Sequence, residues 1–252
     1  TKAAAKLKRE DRSAEVTLLT KSREISYAGC GLPYYVGGLI ETEEELIVNT
    51  PEKFAGLTGV QVLTGREAVG LDPERKSVHV KNLDDGTEEE YTYDNLILAV
   101  GASAIVPDVP GIRLPGVFQM RTPEDAQNMR SYMEEHEVRR AVVAGGGFIG
   151  LEIAENLHAK GIAVTVIDMA PQIMPNVLDP EMAAYAKRHL QKKGIRIQTG
   201  TALKAVLGGE KASGIQTDQG TIQSDMVVVS IGIRPNTAFL KDSVIKMDRG
   251  TI

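Results

Sequence analysis

The stretch RRAVVAGGGFIGLEIAENLHAKGIAVTVID, residues 139–168, constrains the fold more than any other part of this 252-residue chain. An apolar run, AVVAG, leads into GGGFIG, and a helix-forming segment and a second apolar run, IAVTVID, follow. G-x-G-x-x-G spacing alone is a weak signal. Strand, glycine loop, helix and strand in that order predict a βαβ unit with a dinucleotide seat, where the alternative is a glycine turn that only packs strand on helix. Gly145 permits the tight turn, Gly147 lets a pyrophosphate approach the backbone, and Gly150 allows close helix packing. The helix N-terminus adds amide donors and the positive end of its dipole. Asp168 ends the second strand 18 residues past Gly150. An acid there accepts hydrogen bonds from the ribose hydroxyls and repels a 2′-phosphate. No arginine follows in MAPQ, so these residues favour NADH over NADPH.

Charge and cysteine usage narrow the partners. A net charge of -5 without any basic run argues against a nucleic-acid surface, because phosphate neutralisation needs clustered Lys and Arg. No apolar stretch approaches the roughly 20 residues that a membrane-spanning helix needs, and TKAAAKLKRE is not a signal peptide, so the chain reads as cytoplasmic, with no membrane partner. Cys30 is the only cysteine, which excludes an intrachain disulfide, and His79, His136, His158 and His189 lack ligand spacing. No metal site is expected. Small molecules or proteins remain as partners.

The first half reads as a shortened copy of the second. Residues 3–10 are strong helix formers, and VTLLT is a short buried-strand run. Thr50-Pro51 and Thr122-Pro123 open helices, and VQVLTGREAVGLD, KSVHVKN and EEEYTYD alternate as strands. Setting Thr20 opposite Asp168 aligns the first helix with the one after GGGFIG and NLILAVG with MVVVSIG. The glycine loop then falls opposite positions at or before residue 1. The prediction is an α/β fold of two Rossmann-like domains, three-layered, with a parallel sheet and a small antiparallel meander, truncated at both ends. Gly and Pro crowd GASAIVPDVPGIRLPG (101–116), which reads as an extended linker. The boundaries predicted are 1–112 and 113–241, with 242–252, ending in strand-like KMDRGTI, starting a return to the first domain.

Cys30 lies in SYAGCGLPYYVGG, residues 26–38. Gly29 and Gly31 bare the backbone around it, and Pro33 suits the first turn of a short helix, whose amides would stabilise a thiolate. A buried, inert cysteine is the alternative. With no partner cysteine, an oxidised Cys30 must be a sulfenic acid or a mixed disulfide with an external thiol.

SYAGCGLPYYVGG, ILAVGA (97–102), GGGFIGLEIAENL and VSIGIRPNTAFL (229–240), in this order, resemble the single-cysteine flavoprotein disulfide reductases. That family comprises coenzyme A disulfide reductases, NADH oxidases and NADH peroxidases, and CGLPYY after Ser-Tyr-Ala is most similar to the coenzyme A disulfide reductase branch. The resemblance implies FAD- and NADH-binding domains followed by a dimerisation domain absent from this chain, and a homodimer at full length. Hydride would pass from NADH through FAD to Cys30, which would reduce coenzyme A disulfide, persulfide or polysulfide, with coenzyme A as substrate or cysteine adduct. The alternatives are an NADH oxidase or peroxidase cycling Cys30 through sulfenic acid, and a non-catalytic nucleotide-binding regulator.

Matched residue by residue, the resemblance assigns Thr20, Lys21, Ala68, Ala99, Gly101 and Arg121 to the flavin. Gly145, Gly147, Phe148, Ile149, Gly150, Glu152, Asp168 and Gly232 fall to the nicotinamide nucleotide, with Phe148 covering the flavin until the nicotinamide displaces it. Lys6 and Arg9, on a basic stripe with Lys2, take positions that hold coenzyme A phosphates, and Ser26 lies where the substrate passes. A solvated basic face is the alternative for the stripe. Thr20 departs from the acid usual at the flavin ribose, and the flavin's glycine loop and its C-terminal Gly-Asp motif have no counterpart here.

Overall fold

The computed structural model describes residues 1–241 and 243–248. The chain divides into two compact units: residues 1–28, 47–102 and those from Arg234 onward form the first, and residues 29–46 and 103–233 the second. The short strands β8 (Ala102–Ala104) and β17 (Ile233–Pro235) mark where the chain passes between them.

In the first unit, helix α1 (Lys2–Glu10) leads to β1 (Thr17–Thr20), then to the antiparallel pair β2 (Ser26–Tyr27) and β3 (Ile47–Asn49). Helix α3 (Pro51–Thr58) follows. Thr50 caps it by accepting the Lys53 amide, and Pro51 stands in its first turn, where no intrahelical amide is missed. β4 (Gln61–Thr64) pairs in parallel with β1, Thr20 opposite Thr64. An antiparallel meander, β5 (Arg66–Asp72), β6 (Ser77–Asn82) and β7 (Glu88–Thr92), completes the series.

The second unit holds α2 (Leu32–Gly37), β9 (Val117–Gln119), α4 (Pro123–Glu135), β10 (Arg140–Ala144), α5 (Phe148–Ala159), β11 (Ala163–Asp168), α6 (Pro180–Lys192) and β12 (Arg196–Thr199). The meander β13 (Leu203–Gly208), β14 (Ala212–Thr217) and β15 (Gly220–Gln223) then leads to β16 (Met226–Val229). Five strands form one parallel sheet in the order β12-β11-β10-β16-β9. Their continuous apolar runs follow from burial on both faces. Val142, Ala144, Val227 and Val229 pack against Val206, Ala212 and Ile215 of the meander. Val143 turns to the other face, against α5, whose Ile153, Ala154 and Leu157 are fully buried. Helices, parallel sheet and meander are the three expected layers.

The duplication is visible in the topology. α1-β1-β4-meander repeats as α5-β11-β12-meander, and Thr20 faces Thr64 in register as Asp168 faces Thr199. The correspondence is not complete. NLILAVG, which aligns with MVVVSIG in sequence, is not a strand, and Ile97 is 66% exposed, whereas its counterpart β16 is wholly buried. The reason is the missing neighbour: β16 pairs with β10, and among the described residues the first unit has no strand in the place of β10. Residues 103–116 do more than link. The Val206 amide bonds the Pro110 carbonyl and the Ala212 amide that of Pro115, both at 2.8 Å, fastening this proline-rich stretch to the second unit's meander. Residues 249–252 of KMDRGTI, with position 242, lie outside the described residues.

Asp225 ties the start of β16 to the start of β10. It accepts from the Arg139 and Arg140 amides at 3.1 and 2.9 Å and from Arg140 Nη2 at 2.8 Å. Above all the Arg140 hydrogen bond, and then these amides, hold its carboxyl below the ordinary 3.8. A carboxyl depressed by folding gives stability that is present above its unfolded value and lost as pH falls through its folded one. Asp225→Asn should therefore cost about 1 kcal/mol at neutral pH. Urea titrations from pH 7 to pH 2 should show the variant losing less of its stability than the parent below pH 4.

Candidate functional site

The three glycines of GGGFIG answer to different demands. At Gly145, where φ is +120°, an added methyl would lie 2.0 Å from the Ser230 carbonyl oxygen, and at Gly150 one would lie 2.0 Å from the Gly145 carbonyl oxygen. Both glycines are required by the protein's own packing. Gly147 differs: its φ is -82°, and a methyl there would meet nothing within 4 Å. The protein leaves that space open above the loop. Gly147 is also the N-cap of α5 and supplies no side-chain cap, unlike Thr50, Thr122 and Asp179 at α3, α4 and α6. The first amides of α5 therefore open at the carboxyl end of the sheet, where an anion is favoured.

Asp168 braces this loop. Its Oδ2 accepts the Gly146 amide at 2.6 Å and its Oδ1 the Ala170 amide at 2.7 Å. Each oxygen keeps a lone pair for a ribose hydroxyl. The structure adds a cation that MAPQ does not contain: Lys187 Nζ, from α6, donates to Thr199 Oγ1 at 3.0 Å, and Thr199 is the register partner of Asp168. Phe148 is 56% exposed at the helix start, so its ring is not packed in the core, and Ile149 is exposed beside it. Glu152 is half-buried one turn on, and exposed Gly232 follows β16 at φ +128°. The residues present thus fit a dinucleotide: an open cradle at Gly147, uncapped amides and a carboxylate with acceptor capacity to spare.

Cys30 belongs to the same unit. Its exposed thiol lies in a 3-10 turn, Gly29–Gly31, that runs into α2 with Gly31 as N-cap and Pro33 in the first turn. Leu32, Tyr35 and Val36 are buried. α2 seats on α5 so closely that a methyl on Gly37 would overlap Asn156, and Gly38 lies against the Lys160 ammonium. The buried, inert alternative for Cys30 is excluded by its exposure. The helix that opens at the glycine loop also carries the segment bearing the thiol. Sequence periodicity gave no sign of Asn156 or Lys160 in this role, because the contact depends on two helices far apart in the chain.

The other predicted residues are distributed as follows. Thr20 ends β1, with its hydroxyl accepting the Ser22 amide, and Lys21 pairs with Glu67 at 2.9 Å. Ala68 is half-buried in β5, and Ala99 and Gly101 are exposed. Asn236 holds this last run, its amide bonding the Gly101 carbonyl and its side chain that of Val100. For a flavin the first unit therefore offers the exposed residues Ile97, Ala99 and Gly101, with Thr20 and Lys21 already engaged. Arg121, in the second unit, is half-buried just before α4. Lys6 pairs with Glu10 along exposed α1, Arg9 is exposed, and Ser26 sits in β2 opposite Asn49. Among the described residues no group of three or more His, Cys, Asp or Glu could hold a metal, and no helix is long and apolar enough to cross a membrane.

Fold and site define a dinucleotide-binding α/β protein with an exposed thiol in a segment packed against its binding helix. Residues 1–252 match the pattern of the pyridine nucleotide-disulphide oxidoreductases, and the chain belongs to that family, whose members depend on FAD and NAD(P)H. The NADH oxidase of Methanocaldococcus jannaschii is 35% identical over 250 residues, 99% of this chain and 55% of that protein. The coenzyme A disulfide reductase of Staphylococcus aureus is 30% identical over 247 residues, 98% of this chain and 55% of that protein. The solved NAD-dependent persulfide reductase from A. fulgidus superposes with a TM-score of 0.94 at 35% identity, covering 99% of this chain and 46% of that one. The chain spans about half the length of the curated relatives it matches.

The glycines make the site testable without turnover. Gly150→Ala should cost about 3 kcal/mol, since backbone must move to admit the methyl. Gly147→Ala should melt with the parent but bind NADH at least about tenfold more weakly, a loss of about 1.4 kcal/mol. Thermal unfolding alongside calorimetric NADH titration separates the two.

Proposed function

We propose that this chain is the nucleotide- and thiol-bearing part of an NADH-dependent flavoprotein reductase acting on coenzyme A disulfide, persulfide or polysulfide. The observation that carries the reading is the seating of the Cys30 segment on α5, the helix whose N-terminus forms the dinucleotide cradle. Nicotinamide site and exposed thiol thus share one rigid element. The names of the S. aureus and A. fulgidus proteins support the substrate class.

In this reading the amides of Phe148, Ile149 and Gly150 receive the pyrophosphate, Gly147 leaves room for it, and Asp168 holds the adenine ribose. Phe148, exposed at the loop, shields the ring face that the nicotinamide later occupies. FAD, when bound, relays two electrons between nicotinamide and thiol; Thr20, Lys21, Ala68, Ala99, Gly101 and Arg121 are the residues that would contact it. Cys30, as thiolate, attacks one sulfur of the substrate disulfide, forming a Cys30–S–S–R bond and releasing RS⁻. Two electrons originating in NADH then cleave that bond, return Cys30 to the thiolate and release the second thiol. Lys6 and Arg9 supply positive charge for coenzyme A phosphates, and Ser26 a hydroxyl along the substrate's path. The working form is a homodimer in the cytoplasm.

A second reading, oxidation of NADH by oxygen or peroxide through a Cys30 sulfenic acid, is favoured by the name of the M. jannaschii relative.

Intact mass of the full-length protein as isolated, before and after mild reductant, separates the two. The first reading expects a reductant-labile mass equal to coenzyme A that is lost in Cys30→Ser. A thiol carrying one oxygen, or none, favours the second. Asp168 sets a further expectation: NADH should be used at least about tenfold more efficiently than NADPH, about 1.4 kcal/mol in the transition state. Asp168→Ala should narrow that ratio, and an unchanged ratio in steady-state kinetics would remove Asp168 from nucleotide choice.

A further inference from the structure

Residues 29–46 sit with the second unit although the chain on both sides of them belongs to the first. Something must fix the segment against its new surroundings. The buried faces of Leu32, Tyr35 and Val36 supply the apolar part. The polar part comes from one residue of α4. The Arg130 guanidinium lies over the Tyr35 ring, 4.7 Å from its centroid, within the range of a cation–π contact. The same group donates from Nη1 to the Glu41 carbonyl at 2.8 Å, and its Nε pairs with Glu134 at 3.2 Å.

These three contacts are of unequal meaning. Glu134 is four residues along the same helix and exposed, so that pair stabilises α4 locally and little else. Tyr35 and Glu41 lie on either side of the turn that ends α2 at Gly38, where φ is +82°. One planar fork therefore grips the helix that follows Cys30 and the chain leaving it. A guanidinium suits this double task because its ring-stacking face and its edge donors act at right angles, which an ammonium's point charge does not reproduce. α4 itself is held firmly, with a capping box between Thr122 and Asp125 and with Ala126 and Met129 buried. Arg130 thus transmits the position of a rigid helix to the cysteine segment.

We propose that Arg130 is a positioning residue for Cys30: through Tyr35 and the Glu41 carbonyl it holds the cysteine segment in register with the dinucleotide helix. The proposal rests on the reading of Cys30 as the redox thiol, and it touches neither substrate nor nucleotide directly. Loosening the clasp should let the thiol wander while leaving the glycine loop, Asp168 and the first turn of α5 intact.

The test uses the full-length holoenzyme and the variants Arg130→Met and Arg130→Lys, with Lys192→Met, at the exposed end of α6, as control. Arg130→Met should lower kcat threefold to tenfold with the KM for NADH unchanged within twofold. In the oxidant-free protein it should also narrow the ratio of Cys30 alkylation rates between iodoacetamide and a bulky maleimide, because a wandering thiol discriminates less by size. Arg130→Lys, which keeps a cation over Tyr35, should recover part of both effects, and Lys192→Met should show neither. Unchanged kcat and alkylation ratio in Arg130→Met would overturn the proposal, as would a parallel change in kcat and KM together with a lower melting temperature, which marks a general packing role. Turnover surviving in Cys30→Ser would instead overturn the redox role of the thiol, while the alkylation ratio would still report on the clasp.

Discussion

The turn at the carboxyl end of β10 depends on two backbone approaches that leave no room for a side chain: Gly145 against the Ser230 carbonyl and Gly150 against the Gly145 carbonyl. The first lets the loop after β10 fold down onto the loop after β16, and the second lets α5 lie close over the sheet. Asp168 completes the arrangement from β11 by accepting the Gly146 amide. Three neighbouring strands thus converge on one loop, and the open space above Gly147 results from how tightly everything beneath it is packed. This is the general logic of a ligand crevice at the carboxyl ends of parallel strands.

The same helix links the loop to the thiol. α5 is apolar where it meets the sheet, and on another side it receives α2, so a shift of α5 would be felt at both ends. The close seating of Gly37 on Asn156, with no room for a side chain at Gly37, makes that joint stiff, because close-packed interiors transmit displacement instead of absorbing it. Arg130 adds a directional element that apolar burial cannot supply, since burial rewards contact area and is indifferent to small rotations.

Much of the fold was legible because local chemistry and tertiary role agreed. Thr50-Pro51 and Thr122-Pro123 begin helices with their side chains as caps, and VVV runs form the buried parallel sheet. The duplication could be read from Thr20 and Asp168, which occupy equivalent register positions. NLILAVG departs from its aligned counterpart MVVVSIG for a plain reason. Its composition suits a buried strand, but a strand exists only with a hydrogen-bonded neighbour, and apolar sequence does not reveal whether that neighbour is there.

By itself the sequence determined the dinucleotide loop, its acid and the glycine-flanked cysteine, since each rests on residue types at short fixed spacings: glycines for close approach, a carboxylate at a strand end, a proline in a first turn. Only the tertiary structure decided that Cys30 travels with the second unit, that Lys187 reaches Thr199, the register partner of Asp168, and that Arg130 grips the helix after Cys30. These relations join residues that are distant along the chain. No local spacing encodes them, because they arise from which faces are buried together once the sheet and its helices have formed.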